Sequence, residues 1–160
     1  MADASRRASA RPGRGGLHNI VFLAEGVESI PSAFDGIADR VTVLFPWGSL
    51  LGGALGHDDA VTASIARLLA PDGRLEIILS IVERDRAAIG GAGPFGVADL
   101  DALTCAFATL GLGVETTCRL SPDEIRATGS TWARRLRSDP DRPVWRLVLC
   151  PSSPALSPVG

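Results

Sequence analysis

The stretch "VTVLFPWGSLLGG", Val41 to Gly53, decides how this chain is read. Four of its first five residues are apolar and β-branched or bulky, the composition of a buried strand. Pro46 has no backbone N–H to give a sheet, so the strand stops there. Trp47 is thereby delivered to the strand's carboxyl end, with Gly48 free to bend sharply behind it. A tryptophan is usually mostly buried, so this one either packs beneath a helix or offers its indole face to a flat heterocycle. Stacking on an aromatic contributes about 1–3 kcal/mol per base, enough to hold an unstacked nucleobase but not to choose among bases.

Outward from this stretch, strands and helices alternate. "NIVFLA" (Asn19 to Ala24) is predicted as a preceding strand, with a weak helix near Ser32 to Ala38 between the two. From Asp58 to Ala70, Val61, Ile65, Leu68 and Leu69 recur at helical spacing, with Asp58 placed as N-cap. Pro71-Asp72-Gly73 turns the chain into "RLEIILSIV" (Arg74 to Val82), a run so continuously apolar that it predicts a central strand covered on both faces. Leu100, Leu103, Phe107 and Leu110 form a second helical stripe, closed by Gly111. Two strands follow, "VETTCRL" and "PVWRLVLC" (Pro143 to Cys150). The connection between them opens with the capping box Ser121-Pro122-Asp123-Glu124. The alternation is that of an open, mainly parallel α/β sheet with helices on both faces. In such sheets ligands bind beyond the carboxyl ends of the strands, where "FPWG" lies.

The bulk properties narrow the partners. The chain has 160 residues, 46% hydrophobic and 21% charged, which fits one globular domain with a real core. A net charge of -2 excludes a protein coated in positive charge, so nucleic-acid contact must be a local patch. Cys105, Cys118 and Cys150 are odd in number and far apart, which suggests neither a disulfide framework nor a zinc site and fits a reducing cytoplasm. No apolar run has the roughly 18 residues that a membrane span needs. The arginine- and serine-containing start imitates a transit peptide, but Asp3 and its shortness argue against one.

A second tryptophan, Trp132, lies in "GSTWARRLRSDPDR", where Gly129 and Ser130 interrupt one helix and cap the next. Facing Trp47, it would close a clamp. Arg134, Arg135, Arg137, Arg142 and Arg146 crowd the same region and suit phosphates, diluted by Asp139 and Asp141; taken alone they read more readily as a solvated helix face. Trp145 falls inside a strand and is read as packing. Glu28, just past the first strand, is placed to accept a hydrogen bond from an adenine amine or a ribose hydroxyl. The glycines of "GRGG" and "IGGAGPFG" do not lead from a strand into a helix and are read as turns. His18 and His57 lack the carboxylate or serine partners of a catalytic histidine.

"NIVFLAEGVESIP…IADRVTVLFPWGSLLGG" together with "STWARRLR" resembles the kanamycin-apramycin resistance family of small-subunit (16S) rRNA methyltransferases, over roughly Ala4 to Cys150. "FPWGSLL" plus "WARRL" is the specific part. The resemblance implies a Rossmann-like class I fold, S-adenosylmethionine as cofactor, methylation of N1 of a decoding-site adenine of the aminoglycoside-resistance type, and the small ribosomal subunit as partner. The expected protein is a cytoplasmic monomer with neither membrane nor DNA as partner. By the same resemblance Trp47 and Trp132 sandwich the flipped adenine, Phe45 and Pro46 shape the pocket floor, and Ser130 lies beside the base. Val27, Glu28, Leu44 and Ser49 line the cofactor, and Arg134, Arg135 and Arg142 belong to the surface that holds rRNA. The inventory suits the chemistry, because adenine N1 carries a free lone pair at neutral pH and methyl transfer needs orientation and a dry pocket rather than a strong base. Extruding the base is how such enzymes reach a ring atom.

Against that family the chain begins late. The first two strands, the glycine-rich loop and the acidic residue for the cofactor ribose are expected to be missing. That leaves residues 1–18 as a remnant helix and turn, 19–150 as the methyltransferase domain and 151–160 as a disordered tail. Weak cofactor affinity follows, from a misassigned start or from a fragment inactive alone, with a non-catalytic rRNA-binding remnant as the alternative. The expected strand order puts the missing strands between Asn19–Ala24 and Val41–Phe45, exposing unpaired backbone on both. A nucleotide-dependent oxidoreductase half-domain is disfavoured by the paired tryptophans and the absent dinucleotide fingerprint.

Overall fold

A computed structural model describes residues 19–20, 22–87, 95–136 and 142–152, apart from the side chains of 83, 84 and 134–136. The expected helix before Gly16 and most of the expected tail lie outside these residues. Two compact units are present, Met1–Ile30 and Pro31–Gly160.

In the first unit, the described residues between Asn19 and Ala24 form no strand, and Ile20, Phe22 and Leu23 are exposed. That corrects the sequence expectation, and the reason is physical. Apolar, β-prone residues make a strand only when a neighbour supplies ladder hydrogen bonds. A single 3-10 turn, Val27–Ser29, follows.

The second unit is built on a four-stranded sheet in the order β1 (Ala38–Leu44), β2 (Leu69–Leu79), β4 (Trp145–Pro151), β3 (Leu112–Arg119). β1 and β2 are parallel, while β4 runs antiparallel to both β2 and β3. Three strands therefore share a direction, and the sheet is mixed by its ladders rather than mainly parallel. Among the described residues no strand pairs with the outer edge of β1. The expected helix at Ser32–Ala38 is only a 3-10 turn, Ser32–Phe34, because β1 already claims Ala38. β2 begins at Leu69, earlier than expected, and the Pro71-Asp72-Gly73 turn survives as a jump in register between Ala38↔Leu69 and Arg40↔Arg74.

Alternation along β2 and β4 sorts the core. Leu75, Ile77, Leu79, Leu147 and Leu149 are fully buried. Their face of the sheet is completed by three helices, α1 (Ser49–Ala54), α2 (Asp59–Ala66) and α4 (Val97–Ala108). Asp58 caps α2 as the sequence predicts, its Oδ1 accepting from the Val61 N–H at 3.2 Å. Gly111, at φ 77, closes the turn after α4. Trp145 packs against Phe95 with ring centroids 5.7 Å apart.

A second cluster, Phe45, Ile78, Leu120, Ala133 and Val144, joins the sheet to α5 (Pro122–Ala127) and α6 (Thr131–Leu136). β4 extends through Pro151, and the Ser152 N–H donates to the Gly111 carbonyl at 2.8 Å.

Candidate active site

The strand that should run on through Phe45 is broken there by its own backbone. Phe45 has φ 49, a left-handed conformation that costs a bulky residue about 1–3 kcal/mol. Two things hold it. Its N–H donates to the Ile78 carbonyl at 2.6 Å, and its ring is buried beside Ile78 and Ala133. Strict alternation would have put Phe45 on the Val43 side of the sheet, so the left-handed residue is what turns the ring into the second cluster. Pro46 is buried next to it, and Trp47 emerges 84% exposed. Gly48, at φ 60 and ψ -139, takes a conformation open essentially to glycine alone and starts α1 at Ser49. Trp47 is therefore not a packing residue.

Trp132 reaches the same place from α6. Ser130 caps this helix, its Oγ accepting from the N–H groups of Trp132 at 3.2 Å and Ala133 at 3.4 Å. Ala133 is buried against Phe45, which docks α6 on the end of β1. Trp132, one residue earlier, stays 45% exposed. Both indoles line a single cavity of about 580 Å³, together with Leu44, Phe45, Pro46 and Arg142.

Ser80 and Asp85 complete the cavity and were missed in the sequence. Ser80 follows the last residue of β2, the same carboxyl-end position that singled out "FPWG". Asp85 belongs to the short helix α3 (Glu83–Ala87). Arg142 Nε donates to Ser80 Oγ at 2.8 Å, and Nη2 donates to the Ser80 carbonyl at 3.0 Å and to Asp85 Oδ2 at 3.2 Å. The Ser80 hydroxyl donates in turn to the Pro143 carbonyl at 2.9 Å. The segment entering β4 is thus fastened to the end of β2, and Arg142 is a half-buried wall of the cavity.

Of the residues singled out in the sequence, Leu44, Phe45, Pro46, Trp47, Trp132 and Arg142 share the cavity. Ser130 acts as the cap of α6. Ser49 is exposed at the start of α1 and does not line the cavity. Val27 and Glu28 form the 3-10 turn of the other unit. Arg134 and Arg135 belong to α6, with side chains outside the description. Among the described residues no cluster of three potential metal ligands occurs, and no helix is long and apolar enough to cross a membrane.

The family model described as NpmA, 16S rRNA (adenine(1408)-N(1))-methyltransferase, matches residues 1–150. The chain belongs to this family. A 16S rRNA (adenine(1408)-N(1))-methyltransferase from Streptoalloteichus hindustanus is 32% identical over 146 residues, covering 89% of this chain and 66% of the relative. One from Escherichia coli is 26% identical over 158 residues, covering 92% and 69%. The chain thus spans about two thirds of the length of the curated methyltransferases it matches. Among solved structures, the 16S rRNA methyltransferase KamB aligns with a TM-score of 0.83 at 29% identity, covering 96% of this chain and 72% of KamB. An adenine(1408)-N(1)-methyltransferase from Catenulisporales acidiphilia, solved with its cosubstrate SAM, aligns at 0.82 and 29%, covering 99% and 73%. The mixed α/β sheet of this chain is the Rossmann-like fold of these methyltransferases, and its family is one of enzymes.

Proposed function

We propose that this chain methylates N1 of a decoding-site adenine in 16S rRNA, an aminoglycoside-resistance type of modification, with S-adenosylmethionine as methyl donor. The observation that carries the reading is the single cavity lined by two partly exposed indoles, from β1 and from α6. An adenine flipped from its stack presents two π faces, and two indoles converging on one hollow suit both. Phe45 and Pro46 close the floor. Ser130 sets the orientation of Trp132 and lies next to the base.

When bound, S-adenosylmethionine would supply an electrophilic sulfonium methyl for the in-plane lone pair of N1, its C–S bonding pair leaving with sulfur. No proton must leave N1 first, so the cavity needs no general base. The chain's residues orient the ring and exclude water. The residue types of the second unit that are assigned to the cofactor fit it: exposed Leu44 offers an apolar wall at the cavity rim and exposed Ser49 a hydroxyl.

Arg142 faces the cavity with Nε and Nη2 engaged by Ser80 and Asp85, a preset cation for a phosphate flanking the flipped base. Arg134 and Arg135, on the same helix as Trp132, extend that role along the rRNA. The protein acts as a cytoplasmic monomer on the small ribosomal subunit.

An N1-methyl group blocks Watson–Crick pairing, so reverse transcription of 16S rRNA from cells expressing this reading frame should stop at the modified adenine. Unaltered read-through at every decoding-site adenine would overturn the reading.

A further inference from the structure

Next to the Asp85–Arg142 contact is a second ion pair of opposite sense. Arg86 and Asp99 have side chains only 9% and 5% exposed, and Arg86 Nη1 lies 2.5 Å from Asp99 Oδ1. It is the most deeply buried ion pair among the described residues. Charge and close approach hold it rather than aligned hydrogen bonds, and Arg86 Nε is buried with no hydrogen-bond partner among the described residues. A buried pair of this kind is a poor way to gain stability, because desolvation consumes most of the Coulombic attraction. What it supplies is direction.

α3 has five residues, too few to keep an orientation by helix propensity alone. Two adjacent side chains of this helix, Asp85 and Arg86, diverge by about 100° around the axis, so tethers on both fix its roll. One tether is Arg86 to Asp99 in the first turn of α4, and the other is Asp85 to Arg142 at the cavity wall. Asp99 is itself held, since its Oδ2 accepts from the Gly96 N–H at 2.8 Å. We infer that the Arg86–Asp99 pair is a positioning device for the cavity: it sets the roll of α3, which places Asp85, which orients the Arg142 guanidinium. Neither residue touches the cavity. The inference deepens the proposed function, because it rests on Arg142 meeting the RNA substrate there.

The test needs no RNA. In the 160-residue protein labelled with ¹⁵N-arginine, the Arg142 Nε–H, hydrogen-bonded to Ser80, should exchange slowly with solvent at mildly acidic pH. Asp99→Asn keeps an oxygen for Gly96 but removes the charge facing Arg86, and should speed that exchange at least tenfold in a folded protein. The double variant Arg86→Met, Asp99→Asn leaves no unpaired buried charge and should release Arg142 to the same degree, so the inference stays testable if the single variant fails to fold. Asp58→Ala, which weakens the cap of α2 away from this network, should leave Arg142 exchange unchanged. Wild-type exchange at Arg142 in the folded double variant, or equal acceleration in Asp58→Ala, would overturn the inference. Failure of the RNA reading is seen separately, as unchanged affinity of Arg142→Ala for the small ribosomal subunit.

Discussion

At Phe45 and Gly48 the backbone holds two left-handed residues within four positions, and Trp47 stands between them. Open space surrounds Gly48, with nothing within 4 Å of where a Cβ would sit, so any penalty for a side chain there is conformational rather than steric. Gly48→Ala should therefore cost about 1–3 kcal/mol in chemical denaturation and lower methyl transfer by turning Trp47 away from the cavity. A neutral effect on both would mean that the loop tolerates another path. The sequence made Trp47 legible because Pro46 both ends a strand and fixes a turn. Arg142 was legible only as one arginine in a basic run. Its lock on Ser80 and Asp85 joins residues about sixty positions apart, which no local pattern encodes.

Among the elements, α1 shows how closely packing competes with propensity. Replacing a helical glycine with alanine ordinarily stabilises a helix by up to about 1 kcal/mol. At Gly53, however, a Cβ would lie 2.2 Å from Val61 Cγ1 on α2. Overpacking of that kind costs about 1–3 kcal/mol and should win, so Gly53→Ala should lower the denaturation midpoint. α5 carries a pH signature. Glu124 has its carboxyl held below the ordinary value of 4.5, chiefly by the Ser121 hydroxyl and then by the Ser121 backbone N–H. A depressed carboxyl stabilises the fold above its ordinary pKa, and that contribution is lost as pH falls through the lowered value. Ser121→Ala should raise the Glu124 pKa toward 4.5 in an NMR titration, and an unmoved titration would contradict the assignment. Caps such as Asp58, Ser121 and Ser130 were readable because they act within three residues. Asn19–Ala24 was misread as a strand because a strand exists only with a partner. α1 was missed because "GSLLGG" carries three glycines and its helix is held by contact with α2 rather than by propensity.

For the whole molecule, a net charge of -2 means that the proposed binding to rRNA has to come from a few local cations rather than from a general field. Binding to the small ribosomal subunit should weaken with salt, and Arg142→Ala should make the slope of log K against log[salt] shallower by about one, the mark of one lost phosphate contact. An unchanged slope would remove Arg142 from the RNA surface. The fold places two indoles, the anchored arginine and the end of β1 around one hollow, and the proposed function turns on those two indoles gripping one extruded adenine. The most direct test is the initial rate of labelled-methyl transfer from S-adenosylmethionine to small ribosomal subunits by the protein and by its Trp47→Ala and Trp132→Ala variants. Each variant should lose about tenfold or more in rate, as expected for one base stack, with Trp47→Ala keeping the parent's thermal midpoint because its ring is exposed. Parent-level transfer by either variant would contradict the clamp.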